Sequence, residues 1–118
     1  MKQQRRQRID HEMQRVLGTL ISQLTDPRLG FTTVTRVEIT QDLHHAKVFV
    51  SVIGDRHVAK QTMDALQHAA GFLRGELGHE IKLRHTPELQ FVEDRSTERA
   101  INVSKALREA SQAAGGDS

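Results

Sequence analysis

The side chains best equipped for chemistry in this 118-residue chain are its seven histidines and fifteen Asp and Glu residues, and their spacing assembles no recognisable catalytic or metal-binding pattern. His44 and His45 are adjacent, so on a strand they point to opposite faces and do not close on one ion. There is no HExxH, no P-loop and no GxSxG, and Glu93 and Asp94 are neighbours in sequence with no sign of a paired-carboxylate cleft. Cysteine is absent, which removes a disulfide framework, a thiolate zinc site and a cysteine nucleophile together. The chain is therefore read as a non-enzyme with no metal and no cofactor.

The cations are arranged more suggestively. Lys2, Arg5, Arg6, Arg8 and Arg15 stand against only Asp10 and Glu12 in the first fifteen residues, a local +3 that exceeds the +2 of the whole chain. The pI of 9.4 overstates the balance, because Tyr and Cys are missing and little titrates between neutrality and the lysines. A second cluster, Arg74, Lys82, Arg84 and His85, is diluted by Glu76 and Glu80. Such clusters suit phosphate contacts, while charge alone suits a solvated helix end equally well. Arg28 follows Pro27 in a sharp turn and reads either as a contact or as an exposed turn residue. Arg36 and Lys47 read as solvated. Four phenylalanines are the only aromatic residues, too few for a row of rings that stacks successive bases.

These residues must be carried by regular elements, and the hydropathy pattern supplies them. Ile9, Met13, Val16, Leu17, Leu20, Ile21 and Leu24 recur at spacings of three and four, which predicts an amphipathic helix near residues 4–24. Pro27 and Gly30 end it in a turn. From Phe31 to Thr40 the period becomes two, placing Phe31, Thr33, Thr35, Val37 and Ile39 on one face, and Ala46 to Ile53 forms a second strand close enough for an antiparallel hairpin. Asp55 suits a helix N-cap, and an apolar stripe from Val58 to Leu77 crosses Gly71, where a kink into two helices is expected. A third strand is expected at 88–93 after Pro87, and a weaker stripe of Ile101, Ser104 and Leu107 predicts a final helix. The domain is read as residues 1–110, with 111–118 a disordered tail lacking apolar anchors. No apolar run is long enough for a signal or membrane segment, so a soluble, unexported protein is expected.

The order helix, strand, strand, helix, kink, helix, strand with an additional C-terminal helix is α+β, in the type II KH topology of a single KH-like domain. KH domains clamp RNA at a Gly-x-x-Gly loop between the middle helices, and here that junction reads Ala69-Ala70-Gly71. Packing is the favoured role for Ala69, while Gly71 is divided between packing and contact.

Asp26-Pro27-Arg28-Leu29-Gly30, Thr35-Arg36-Val37-Glu38, His45-Ala46-Lys47-Val48-Phe49-Val50-Ser51-Val52, Ala69-Ala70-Gly71-Phe72-Leu73-Arg74, Glu76-Leu77-Gly78 and Arg84-His85-Thr86-Pro87-Glu88-Leu89 follow in this order over nearly the whole chain. Together they resemble the bacterial ribosome-binding factor A family. The resemblance implies a KH-like fold with an Ala-x-Gly kink at Ala69, Ala70 and Gly71. It also implies a non-enzymatic, cytoplasmic assembly factor, monomeric and free of small-molecule substrate or membrane, whose partner is the small ribosomal subunit and its rRNA. The family is associated with late rRNA maturation and processing near the 5′-terminal helix, and with growth in the cold. The rival readings are a general KH-type single-stranded RNA binder and, further off, a protein-interaction or small-molecule-binding module.

Overall fold

The computed structural model describes residues 3–115, with side chains described for 7–96 and 101–112. Helix α1 (Gln3–Ser22) buries Met13 and Leu17 completely and Val16 and Ile21 nearly so, as its three-and-four spacing requires. The turn after it is held by Asp26, whose Oδ1 accepts the Arg28 N–H at 2.9 Å while its carbonyl accepts the Leu29 N–H at 3.0 Å. At Gly30 the backbone passes so close to the next layer that a Cβ would stand 2.8 Å from Val58 Cγ1. Its N–H donates to the buried Thr62 hydroxyl at 2.9 Å.

Strands β1 (Phe31–Ile39) and β2 (His45–Ile53) pair antiparallel, and β3 (Glu88–Glu93) pairs parallel to β2, giving the order β1-β2-β3. A parallel neighbour needs a crossover, here supplied by α2 (Arg56–His68) and α3 (Ala70–Glu80). Asp55 caps α2 as expected, its Oδ1 accepting the Val58 N–H at 2.9 Å. Helices α1, α2 and α3 cover one face of the sheet, where Val34, Val37, Val48, Val50, Leu66, Leu73, Leu77, Leu89 and Phe91 form the core. This is the α+β architecture expected, with the third strand at 88–93.

The face assignment of β1 differs from strict alternation. A β-bulge between Val34 and Arg36 inserts Thr35, so Val34, Val37 and Ile39 point inward and Phe31 is 71% exposed on the outer face, opposite Ile53. The bulge is accommodated from both sides. Gln14 of α1 donates through Nε2 to the carbonyls of Val34 and Thr35, both at 3.3 Å, and the Thr35 hydroxyl donates to Asp94 Oδ2 at 2.7 Å.

Helix α4 (Ser96–Gly115) follows β3 after a two-residue connection, Asp94-Arg95. It continues five residues into the segment expected to be a disordered tail; 116–118 lie outside the described residues. Alanine and glutamine are good helix formers, so the Gln112–Ala114 stretch propagates the helix although it offers nothing to bury. The apolar stripe of α4 does not join the core: Ile101, Val103 and Leu107 are 60%, 58% and 67% exposed.

Asp94 joins this helix to the sheet. Hydrogen bonds from the Ser96 hydroxyl, the Thr35 hydroxyl and the Ser96 N–H (2.9 Å) hold its carboxyl down at about 2. Because the folded pKa lies below the unfolded value, the ionised form is the one folding favours. The contribution is therefore complete above pH ~4 and is lost as pH falls toward about 2. The protection factor of the Ser96 amide against hydrogen exchange should fall over that window, and Asp94→Asn should flatten the dependence.

Candidate nucleic-acid interface

The predicted cationic residues divide into two groups, met by opposite ends of α1. Toward its start, Arg8 is exposed and the neighbouring Ile9 lies in the same cleft as Leu83, Arg84 and His85, from the segment joining α3 to β3. Lys82, Arg84 and His85 are all exposed on that segment. Arg74 reaches it from α3, donating through Nε to the Thr86 carbonyl at 3.0 Å. Gly78 permits the approach, since a Cβ there would stand 2.9 Å from Thr86 Oγ1. The segment is thus held close against α3 at Thr86, which keeps Lys82 and Arg84 beside that helix. Among the described residues Arg8, Lys82 and Arg84 take part in no ion pair. His44 joins the group, its ring lying 6.0 Å between centroids from that of His85. Its sequence position gave no signal of this, because the pairing spans two connections that only the sheet brings together.

The second group lies at the other end of α1, where the α1–β1 turn meets the kink. Leu24 to Pro27, Leu29, Ala65 and Ala69 line one cleft. The Arg28 guanidinium is turned back onto its own turn, donating from Nη2 to Asp26 Oδ2 at 2.9 Å and from Nε to Oδ1 at 3.2 Å. This pair holds the Asp26 carboxyl below its usual range and raises the guanidinium of Arg28. Arg15 is similarly engaged with Glu12 at 2.6 Å. Both side chains are therefore partly neutralised, unlike those around residues 82–85. Lys2 lies outside the described residues, and Arg5 and Arg6 are placed on α1 by their backbone alone.

The kink is a single residue wide. Ala69 (φ −84°, ψ 0°) separates α2 from α3, and no side chain caps the start of α3. Ala69 and Ala70 pack against the core, in keeping with the packing role favoured for Ala69. Gly71 is exposed and a Cβ there would meet nothing within 4 Å. Packing inside the domain therefore does not require this glycine. Gly71→Ala should stabilise the fold by up to about 1 kcal/mol, as should Gly75→Ala, whose site is equally open. A thermal melt measures this directly, and a loss of affinity confined to Gly71→Ala would mark residue 71 as a point of close contact.

Other cations are absorbed by the domain. Arg36 lies 3.2 Å from Glu38 and its Cζ sits 4.1 Å above the Phe49 ring, while Arg56 forms two bonds to Glu93 at 2.7 and 2.8 Å. Two phenylalanines are well exposed, Phe31 on the outer sheet face and Phe72 beside the kink, so they form no continuous row. Among the described residues no group of three or more His, Asp or Glu side chains is placed to hold a metal ion, and no helix is long and apolar enough to cross a membrane.

The helix-strand-strand-helix-helix-strand order, the mixed three-stranded sheet and the kinked helix pair define a KH-like α+β domain. The family model for ribosome-binding factor A matches residues 5–107. The chain belongs to the ribosome-binding factor A family. A relative from Desulfitobacterium hafniense of that name is 45% identical over 109 residues, spanning 92% of this chain and 87% of the relative. The crystal structure of ribosome-binding factor A from Thermus thermophilus superposes with a TM-score of 0.70 at 26% identity, over 77% of this chain and 98% of that one. A Thermus thermophilus homology model fitted into a cryo-electron-microscopy map of a complex with the 30S subunit gives a TM-score of 0.62 at 29% identity, over 73% and 91%.

Proposed function

We propose that this protein is a non-enzymatic assembly factor that binds the free small ribosomal subunit and assists late maturation and processing of its rRNA, near the 5′-terminal helix. It works as a cytoplasmic monomer by occupying and shaping an rRNA region, and its loss should be felt most during growth in the cold. The observation that carries the reading is membership of a family in which a structurally similar protein has been placed in a 30S complex. The cations of the 82–85 segment and of the α1 start support it, because they supply the electrostatic part of nucleic-acid binding. The Ala69-Ala70-Gly71 junction lacks the paired glycines of a single-strand clamp, which favours recognition of a folded region over a generic strand.

Sedimentation with purified ribosomal subunits across a salt series tests this. The protein should travel with the free small subunit, and the logarithm of its affinity should fall by about 0.7–0.9 per logarithmic unit of salt for each phosphate engaged. Binding that is absent or insensitive to salt would overturn the reading. Unstructured oligonucleotides binding as tightly as the subunit at equal salt would favour the general single-strand binder.

A further inference from the structure

The cleft between the start of α1, the β1–β2 connection and the segment after α3 has a volume of about 320 Å³, and its floor is apolar, formed by Ile9, Ile39, Leu43, Leu83 and Pro87. Leu43 is the only non-glycine described with a positive φ, +64°. That backbone region disfavours side chains with a Cβ, and glycine or asparagine would occupy it with less strain. The chain instead places a leucine there and directs it into the cleft. The opposite wall is the segment held against α3 by the Arg74–Thr86 bond and the close Gly78–Thr86 approach.

The rim is unlike the floor. Arg84 and His85 border it, and the one acid at the rim, Asp42, already accepts hydrogen bonds from the Thr40 hydroxyl and the His44 N–H. The opening therefore offers one guanidinium, that of Arg84, beside the His85 imidazole over an apolar slot. We propose that it receives a single unstacked nucleobase of the rRNA, with the adjoining phosphate on Arg84. This rests on the rRNA-binding reading above and deepens it, because it assigns that surface a base-accepting pocket as well as phosphate contacts. A planar heterocycle attached to an anion matches both halves of the site. Its size, at the lower end of small-ligand cavities, suits one base rather than a stack. The site is separate from the kink, which lies at the other end of α1.

The test uses the full-length protein with labelled Ile and Leu methyl groups, titrated with the four nucleoside monophosphates and, separately, with inorganic phosphate. The methyl resonances of Ile9, Ile39, Leu43 and Leu83 should shift with at least one nucleotide and not with phosphate at equal concentration. Leu83→Trp, which fills the slot, should abolish those shifts and lower small-subunit affinity at least tenfold with the melting temperature held. Should that variant fail to fold, Arg84→Gln should lower nucleotide affinity and leave the methyl spectrum of the free protein intact. Equal shifts with phosphate, or none with any nucleotide, would overturn the proposal, as would stronger binding of an apolar peptide at the same methyl groups. If the wild-type protein fails to bind the subunit, the rRNA reading fails while the nucleotide titration still decides the pocket. If it binds and Leu83→Trp binds equally well, the pocket alone is refuted.

Discussion

Replacing Arg5, Arg6 and Arg8 together by Glu should weaken binding to the free small ribosomal subunit by at least ~100-fold near 0.1 M salt. Each phosphate contact contributes about 0.7–0.9 to the salt slope, or a factor of about 5–8 in affinity at that concentration, and three contacts compound it. The slope itself should become shallower by about 2–3. The fold should not suffer. Arg8 is exposed, and α1 carries no acid in its first turn, so glutamates placed at its start are favoured by the helix dipole. The melting temperature should therefore hold or rise slightly. A large fall would show these residues to be structural, and an unchanged salt slope would remove the α1 start from the interface.

Leu77→Ala should produce the largest loss of stability among single substitutions considered, about 3–4 kcal/mol. Leu77 is fully buried on α3 within the cluster shared with α1 and the sheet, so truncation leaves a cavity that backbone elements on three sides cannot close. For a domain of this size that corresponds to a fall of about 15 °C in melting temperature. Chemical denaturation should show an unchanged m-value with a lower midpoint. A loss below about 1 kcal/mol would mean that the site collapses and that α3 packs more loosely than its burial indicates. The functional consequence is specific, because Arg74 and Gly78 on the same helix pin the segment that presents Lys82, Arg84 and His85. Subunit affinity should fall with stability in this variant, unlike the α1 charge reversal, which separates the two.

Much of the framework was legible in sequence because it is encoded over short windows. The α1 stripe, the Asp26-Pro27 turn, the Asp55 cap and the alternation of β2 and β3 each depend on residues within a few positions of one another, and all appear where their periods predict. The kink was expected at Gly71 and falls two residues earlier, at Ala69. The inward face of β1 was misread at its start. A bulge is stabilised from outside the strand, here by Gln14 and Asp94, which lie some twenty and sixty residues away along the chain. The C-terminal stripe foretold its helix correctly, but an apolar period says that a helix forms and not whether anything covers it.

The sequence by itself determined the α+β framework, the family pattern and the accumulation of cations near the N-terminus and around residues 74–85. Tertiary structure decided which of those cations remain available. Arg15 and Arg28 are drawn into ion pairs, Arg74 becomes a strut, Arg8 and Lys82 are left facing solvent, and Arg84 borders the cleft shared by Ile9 and Leu83. The physical reason is range. Helix and strand periods report only which side of a local element is apolar, whereas charge pairing and cavity formation depend on groups from separate elements meeting within a few ångströms.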